Sequence, residues 1–153
     1  MKKLAILGAS YLQKPLVEKA KAMGIETHCF AWENADAVCQ KTADYFYPIS
    51  VLEQELILKQ CRKIGIDGIT TIATDICIPT VNYVAEQLNL TGNPTRSSLA
   101  TTNKFEMRQL FSKAKLSAPQ FIALKNYKPA EVKPLKTPLI VKPTDRSGSR
   151  GVV

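Results

Sequence analysis

The chain has 153 residues, of which 45% are hydrophobic and 22% charged, with a formal net charge of +8. That is enough apolar material for one ordinary domain, or a small domain plus part of a second, and too much for a disordered chain. No apolar run approaches the roughly 20 residues that cross a bilayer, and the run ending at Leu7 is too short for a signal peptide, so a cytoplasmic protein is expected.

The charge is unevenly placed. Residues 1–95 carry nine Lys/Arg against ten Asp/Glu, whereas residues 96–153 carry twelve against three. The whole positive excess lies in the last third, which suits a phosphate-bearing partner or an acidic complement there.

Taken in order, Lys3–Leu7 reads as a buried strand opening into the turn Gly8-Ala9-Ser10. Leu12, Leu16, Val17, Ala20 and Met23 recur at helical spacing, with Pro15 in the first turn and Gly24 closing the helix. Residues 25–31 form a second expected strand, 36–42 a short helix and 45–49 a third strand. A helix over 51–63 places Leu52, Leu56 and Ile64 on one face and ends at Gly65. A β-branched strand over 66–73 and a helix over 76–88 follow. Strands alternating with helices of this length indicate a parallel sheet, whose sites lie beyond the carboxyl ends of the strands. Gly8, Ser10 and Asp75 occupy such loops and are the candidate substrate-side residues.

Gly92-Asn93-Pro94 marks a boundary, dividing the chain into domains over residues 1–93 and 94–153. A short helix over 95–100 precedes one capped by Thr102 or Asn103, with Glu106 placed to complete a capping box from Asn103. Pro119 leads into an expected strand over 120–124, and Leu139–Pro143 forms another that ends at Lys142. The tail holds Arg146, Ser147, Gly148, Ser149, Arg150 and Gly151 before Val152-Val153 begin a return strand. Strand, glycine loop and strand make a flap whose backbone N–H groups can fold over phosphates, with Lys142 as a point charge and the serines and arginines as further donors. An ordinary mobile hairpin has the same pattern.

The four cysteines show no two-residue spacing and read as reduced core thiols; His28 stands alone, with no metal role expected. Neither a Walker P-loop nor a G-x-G-x-x-G fingerprint is present.

Thr101–Arg108 with its lysine at a helix start, Leu116-Ser117-Ala118-Pro119-Gln120-Phe121, Leu139-Ile140-Val141-Lys142-Pro143 and the glycine loop together resemble the ATP-grasp superfamily. Within it the chain looks similar to carbamoyl-phosphate synthetase large-subunit-like ligases. The resemblance implies an α/β fold: a Rossmann-like parallel sheet flanked by helices (the pre-ATP-grasp domain), then a partial α+β ATP-grasp subdomain. It implies ATP contacts from Lys104, Lys142 and the loop Ser147, Gly148, Ser149, Arg150 and Gly151. The implied enzyme is an ATP-dependent ligase that activates a carboxylate as an acyl phosphate for capture by an amine. Its catalytic and Mg²⁺-binding residues are expected in a C-terminal half beyond this fragment, so no catalytic or metal ligands are assigned here and the chain alone is expected to be inactive. Small-molecule carboxylate and amine substrates, and that C-terminal half or a homodimer partner, are the implied partners, with no nucleic acid and no membrane. The competing reading is a stand-alone Rossmann-like nucleotide-binding module without catalysis. A nucleic-acid surface fits less well, since only Tyr127 interrupts the basic stretch after Phe121.

Overall fold

The computed structural model describes residues 1–34, 36–145, 148–149 and 151–153. It divides into two units, Met1–Ser98 and Leu99–Val153.

The first unit is a four-stranded parallel sheet flanked by helices. Its strands are β1 (Lys3–Leu7), β2 (Glu26–Phe30), β3 (Tyr45–Tyr47) and β4 (Gly68–Thr70), in the order β3-β2-β1-β4. Register runs Leu7 opposite Phe30, Phe30 opposite Tyr47 and Ile6 opposite Thr70. Alternation along the strands splits the core in two. Ala5, Leu7, Phe30 and Ile69 face one side, against α2 (Gln54–Ile64) and α3 (Ile78–Gln87). Ile6 and Cys29 face the other, against α1 (Lys14–Ala22) through Val17 and against Cys39 of a short 3₁₀ turn over Val38–Lys41. Both faces are covered, which is why these strands read as continuous apolar runs.

Local chemistry sets several ends. Pro15 sits in the first turn of α1, where its absent N–H leaves no bond unmade. Gly65 closes α2 with φ +70°, the left-handed cap that favours glycine. On α2, however, the buried stripe is Ile57, Leu58 and Cys61, while Leu52 and Leu56 are exposed. The helix begins only at Gln54, and Leu56 lies about 150° around the axis from the middle of that stripe, whose three residues fall within about 100° of one another.

His28 is a satisfied core histidine. Its Nδ1 lies 3.1 Å from the Tyr47 hydroxyl and its Nε2 2.9 Å from Glu26 Oε1, and its ring stacks on Tyr45.

Asp44 ties the end of the 3₁₀ segment to β2. It accepts from the Thr27 N–H at 2.9 Å and hydroxyl at 2.8 Å, and pairs with Lys21 at 2.9 Å. Burial works against its charge, but these donors outweigh it and hold the carboxyl down at about 2. The folded value lies below the ordinary value near ~3.9. The stability it contributes is therefore full above about pH 4 and is lost as pH falls through about 2. Asp44→Asn is expected to cost on the order of 1 kcal/mol at pH 7, discounted because a third of the side chain is exposed to screening solvent. In urea melts the gap between wild type and variant should shrink from pH 7 to about pH 2.5; a constant gap contradicts the assignment.

All four cysteines are free and buried. Burial pushes the Cys61 thiol up to about 12, and burial, reinforced by Cys39, does the same for Cys29. Native protein at pH 8 is expected to leave all four unlabelled by a thiol reagent over minutes and to release them on denaturation. Rapid native labelling of Cys29 or Cys61 counts against this packing.

α4 (Ser98–Thr102) begins on the last residue of the first unit and leads into α5 (Lys104–Lys113) of the second, followed there by the single turn α6 (Pro129–Val132). Asn103 caps α5: its side-chain oxygen accepts from the N–H groups of Phe105 at 3.0 Å and Glu106 at 3.2 Å. The reciprocal half of a capping box is not made, because the Asn103 N–H donates to Leu99 O at 2.9 Å. The expected strand over 120–124 does not form. Phe121 instead meets Phe105 edge-to-face at 5.7 Å, and none of the described neighbours offers a strand edge to that segment. Near the end of the chain, Val141 and Val153 exchange N–H···O bonds in both directions, at 2.7 and 2.9 Å. That is a single pair of the antiparallel kind, and neither segment is a strand, so the strand expected over 139–143 does not form. Among the described residues from Leu99 onward none is buried. No helix of the described residues is long and apolar enough to cross a membrane.

Candidate functional site

Two groups of candidate residues lie on separate units. On the first, the loops after β1 and β4 meet at the carboxyl end of the sheet. Gly8 has φ +90°, and a Cβ there would sit 3.0 Å from Gln13 Cδ and Oε1, so both the turn and the packing call for glycine. The Gly8 N–H donates to Phe30 O at 2.9 Å, anchoring the turn to β2. Ser10 donates to Gln13 Oε1 from its N–H at 3.1 Å and from its hydroxyl at 2.7 Å, and its hydroxyl accepts from the Leu12 N–H at 3.2 Å. Ser10 is therefore engaged in shaping its own loop. Asp75 opens the 3₁₀ turn Asp75–Cys77 and is exposed. Just before it, Ala73 takes φ +57°, an uncommon conformation for a side-chain-bearing residue.

Gln13 is the residue that the sequence reading missed. It is 3% exposed. While its oxygen holds Ser10, its Nε2 donates to Ile72 O at 2.6 Å. One amide thus straps the β1 loop to the β4 loop across 59 residues of chain. A glutamine just after Leu12, the first apolar residue of the expected helix, carries no local signal of that task.

On the second unit, the Lys104 N–H donates to Thr144 O at 2.8 Å. The first residue of α5 thereby lies beside the segment leaving Lys142, which is exposed. The glycine loop is closed at its base by the Val141–Val153 pair. Gly148 and Gly151 have φ +64° and +71°, Ser149 has φ +57°, and a Cβ on Gly151 would sit 3.0 Å from Pro143 Cγ. Backbone of this kind leaves N–H groups clear of Cβ atoms, as a phosphate cradle needs. Ser147 and Arg150, like Arg146, lie outside the described residues. A cavity of about 410 Å³ lined by Ser112, Leu116, Pro119, Phe121, Pro134 and Leu135 is mainly apolar and includes neither lysine. Among the described residues no group of three or more His, Cys, Asp or Glu comes together as a metal site.

The fold is that of the N-terminal domains of ATP-grasp ligases. No family model matches the chain. It is 27% identical over 155 aligned positions, 98% of its length, to a formate-dependent phosphoribosylglycinamide formyltransferase of Prochlorococcus marinus subsp. pastoris. Among solved structures, it resembles phosphoribosylglycinamide synthetase from Anaerococcus prevotii (28% identity, TM-score 0.77, 94% of this chain and 37% of that one). In fold it also matches N5-carboxyaminoimidazole synthetase from Staphylococcus aureus complexed with ADP (18% identity, TM-score 0.78, 99% and 40%). The chain spans 39% of the length of the curated relative. The resemblance to the ATP-grasp superfamily, read first from the lysine, proline and glycine-loop pattern, thus extends over nearly the whole chain as a likeness to the N-terminal part of such ligases.

Proposed function

We propose that this chain is the N-terminal part of an ATP-dependent ligase that activates a small carboxylate and passes the acyl group to an amine. In this reading residues 1–93 form the substrate-side domain and residues 94–153 begin the ATP-grasp domain, in a cytoplasmic enzyme. The observation that carries it is the 2.8 Å bond from the Lys104 N–H to Thr144 O, beside a loop closed by Val141 and Val153. It supports a common phosphate site for Lys104, Lys142 and the glycine loop. The relatives' names support the substrate class: formate is a carboxylate, and glycinamide compounds carry an amine. The likeness to carbamoyl-phosphate synthetase enters only as this shared chemistry.

Phosphoryl transfer asks the protein for positioning and charge neutralisation more than covalent chemistry. The two ammonium groups would hold phosphate oxygens, and the N–H groups around Gly148 and Gly151 would cover them and exclude water. ATP supplies the phosphoryl group that turns a poor carboxylate electrophile into an activated one. Mg²⁺ ligands are assigned to a further C-terminal portion. The 153-residue protein is expected to bind ATP without turning it over. Phosphate release above background with carboxylate and amine present would refute the proposed division of labour. Unchanged amide resonances for Lys104, Lys142 and Gly151 at millimolar ATP would refute the ATP site itself.

A further inference from the structure

Two of the four buried thiols touch each other. Cys29 lies on β2 and Cys39 on the 3₁₀ turn over Val38–Lys41, and both are 0% exposed in the core cluster that faces α1. Their side chains are hydrogen-bonded to one another. The other two thiols have different surroundings: Cys77 bonds to the Thr74 and Thr71 side chains, and burial alone raises Cys61.

The turn that carries Cys39 is also fastened to the β1 loop. The Cys39 N–H donates to Ala9 O at 2.9 Å and its thiol to Ser10 O at 3.4 Å. The Cys39 thiol thus stands between the Cys29 thiol and the Ser10 carbonyl. It is enclosed but shallow: Val38 and Gln40 on either side are exposed, and the turn is four residues long, so a brief local opening uncovers the sulfur. Cys39 is also the thiol suited to react first. Burial and Glu18 raise it, but Lys14 and the Cys29 hydrogen bond pull it back, whereas burial and Cys39 push Cys29 up to about 12.

We propose that Cys29 and Cys39 are a reversible redox pair, whose disulfide takes the thiol donor away from Ser10 O and resets the β1 loop. The oxidant is a small disulfide such as oxidised glutathione. With the turn open, the Cys39 thiolate attacks one glutathione sulfur, the glutathione S–S bond breaks, and one glutathione thiol leaves. The Cys29 thiolate then attacks the Cys39 sulfur of the mixed disulfide and expels the second. Two protein thiols are oxidised, one small disulfide is reduced, and the two thiol protons pass through solvent to the leaving groups. Disulfide sulfurs stand about 2.05 Å apart, so closure draws the turn in toward β2. The pair is independent of the ligase reading, and it gives the loop that holds Gly8 and Ser10 two states.

The test holds the full 153-residue protein at pH 8 with about 5 mM oxidised glutathione, then denatures it, alkylates free thiols and cuts it with trypsin. Cys29 and Cys39 fall in one tryptic peptide, residues 22–41, because cleavage follows Lys21 and Lys41. Over hours, that peptide is expected to become about 2 Da lighter than its dithiol form, with no alkyl group and no glutathione attached. Cys61 and Cys77 should remain thiols and be alkylated. The amide resonances of Ser10, Tyr11 and Leu12 should shift with the same time course and return when dithiothreitol is added. In Cys39→Ala, Cys29 should stay a thiol and take up no glutathione; the wild-type measurements decide the matter even if that variant folds poorly. The proposal is overturned if the peptide keeps both thiols or stops at the mixed disulfide, or if Cys61 or Cys77 oxidises as fast. A disulfide that forms while the three loop amides stay in place overturns it as well.

Discussion

Replacing Gln13 with leucine is expected to lower the unfolding free energy of the Met1–Ser98 unit by about 3 kcal/mol. Leucine fills the same volume, so little cavity forms, and the loss comes from polar groups left without partners. Three hydrogen bonds vanish: two from Ser10 to Oε1 and one from Nε2 to Ile72 O. Each orphaned buried group costs about 1–3 kcal/mol, with water recovering part of it because Ser10 is only half-buried. The β1 and β4 loops should also loosen relative to each other, visible as faster amide exchange at residues 8–12 and 71–75. A loss below about 1 kcal/mol in urea melts would mean that the strap is ornamental.

The second large effect concerns ATP. Lys142→Ala is expected to weaken ATP binding by about ten-fold or more, since a charge-assisted contact contributes about 1.5–3 kcal/mol and 1.4 kcal/mol is a factor of ten. Lys142 is exposed, so the substitution should leave the urea midpoint unchanged, which separates a binding role from a folding one. Lys142→Arg should recover part of the affinity, because the charge survives while the point-like ammonium is replaced by a planar fork. Equal ATP affinity in all three proteins would remove Lys142 from the site.

What could be read in the sequence was whatever local chemistry dictates. Gly65 and Asn103 announced their caps, Gly8 its turn, and the strand runs the parallel sheet, because each depends on a few neighbouring residues. What could not be read depends on distant partners. Gln13 works through a carbonyl 59 residues away. Leu52 and Leu56 matched a helical period, but the stripe that is buried is set by where the sheet lies, and it passes through Ile57 and Cys61. The apolar run after Pro119 had strand-like composition, yet a strand exists only beside another, and Phe121 found Phe105 instead. For the proposed ATP side, the order of lysine, proline turn and glycine loop pointed to a family that no single motif would have named.

The strand order has a consequence for biosynthesis. β1 is made before the other three strands of its sheet, yet it lies between β2 and β4, and its second neighbour arrives more than 60 residues later. Until the ribosome has delivered Gly68–Thr70, one edge of the innermost ribbon stays unpaired, open to other nascent chains. Loop closure over that span is slow compared with local helix formation. Chains that stall before this point should be the ones most prone to aggregate and recruit chaperones, and the risk should fall once β4, and then α3 over the sheet face, have been added.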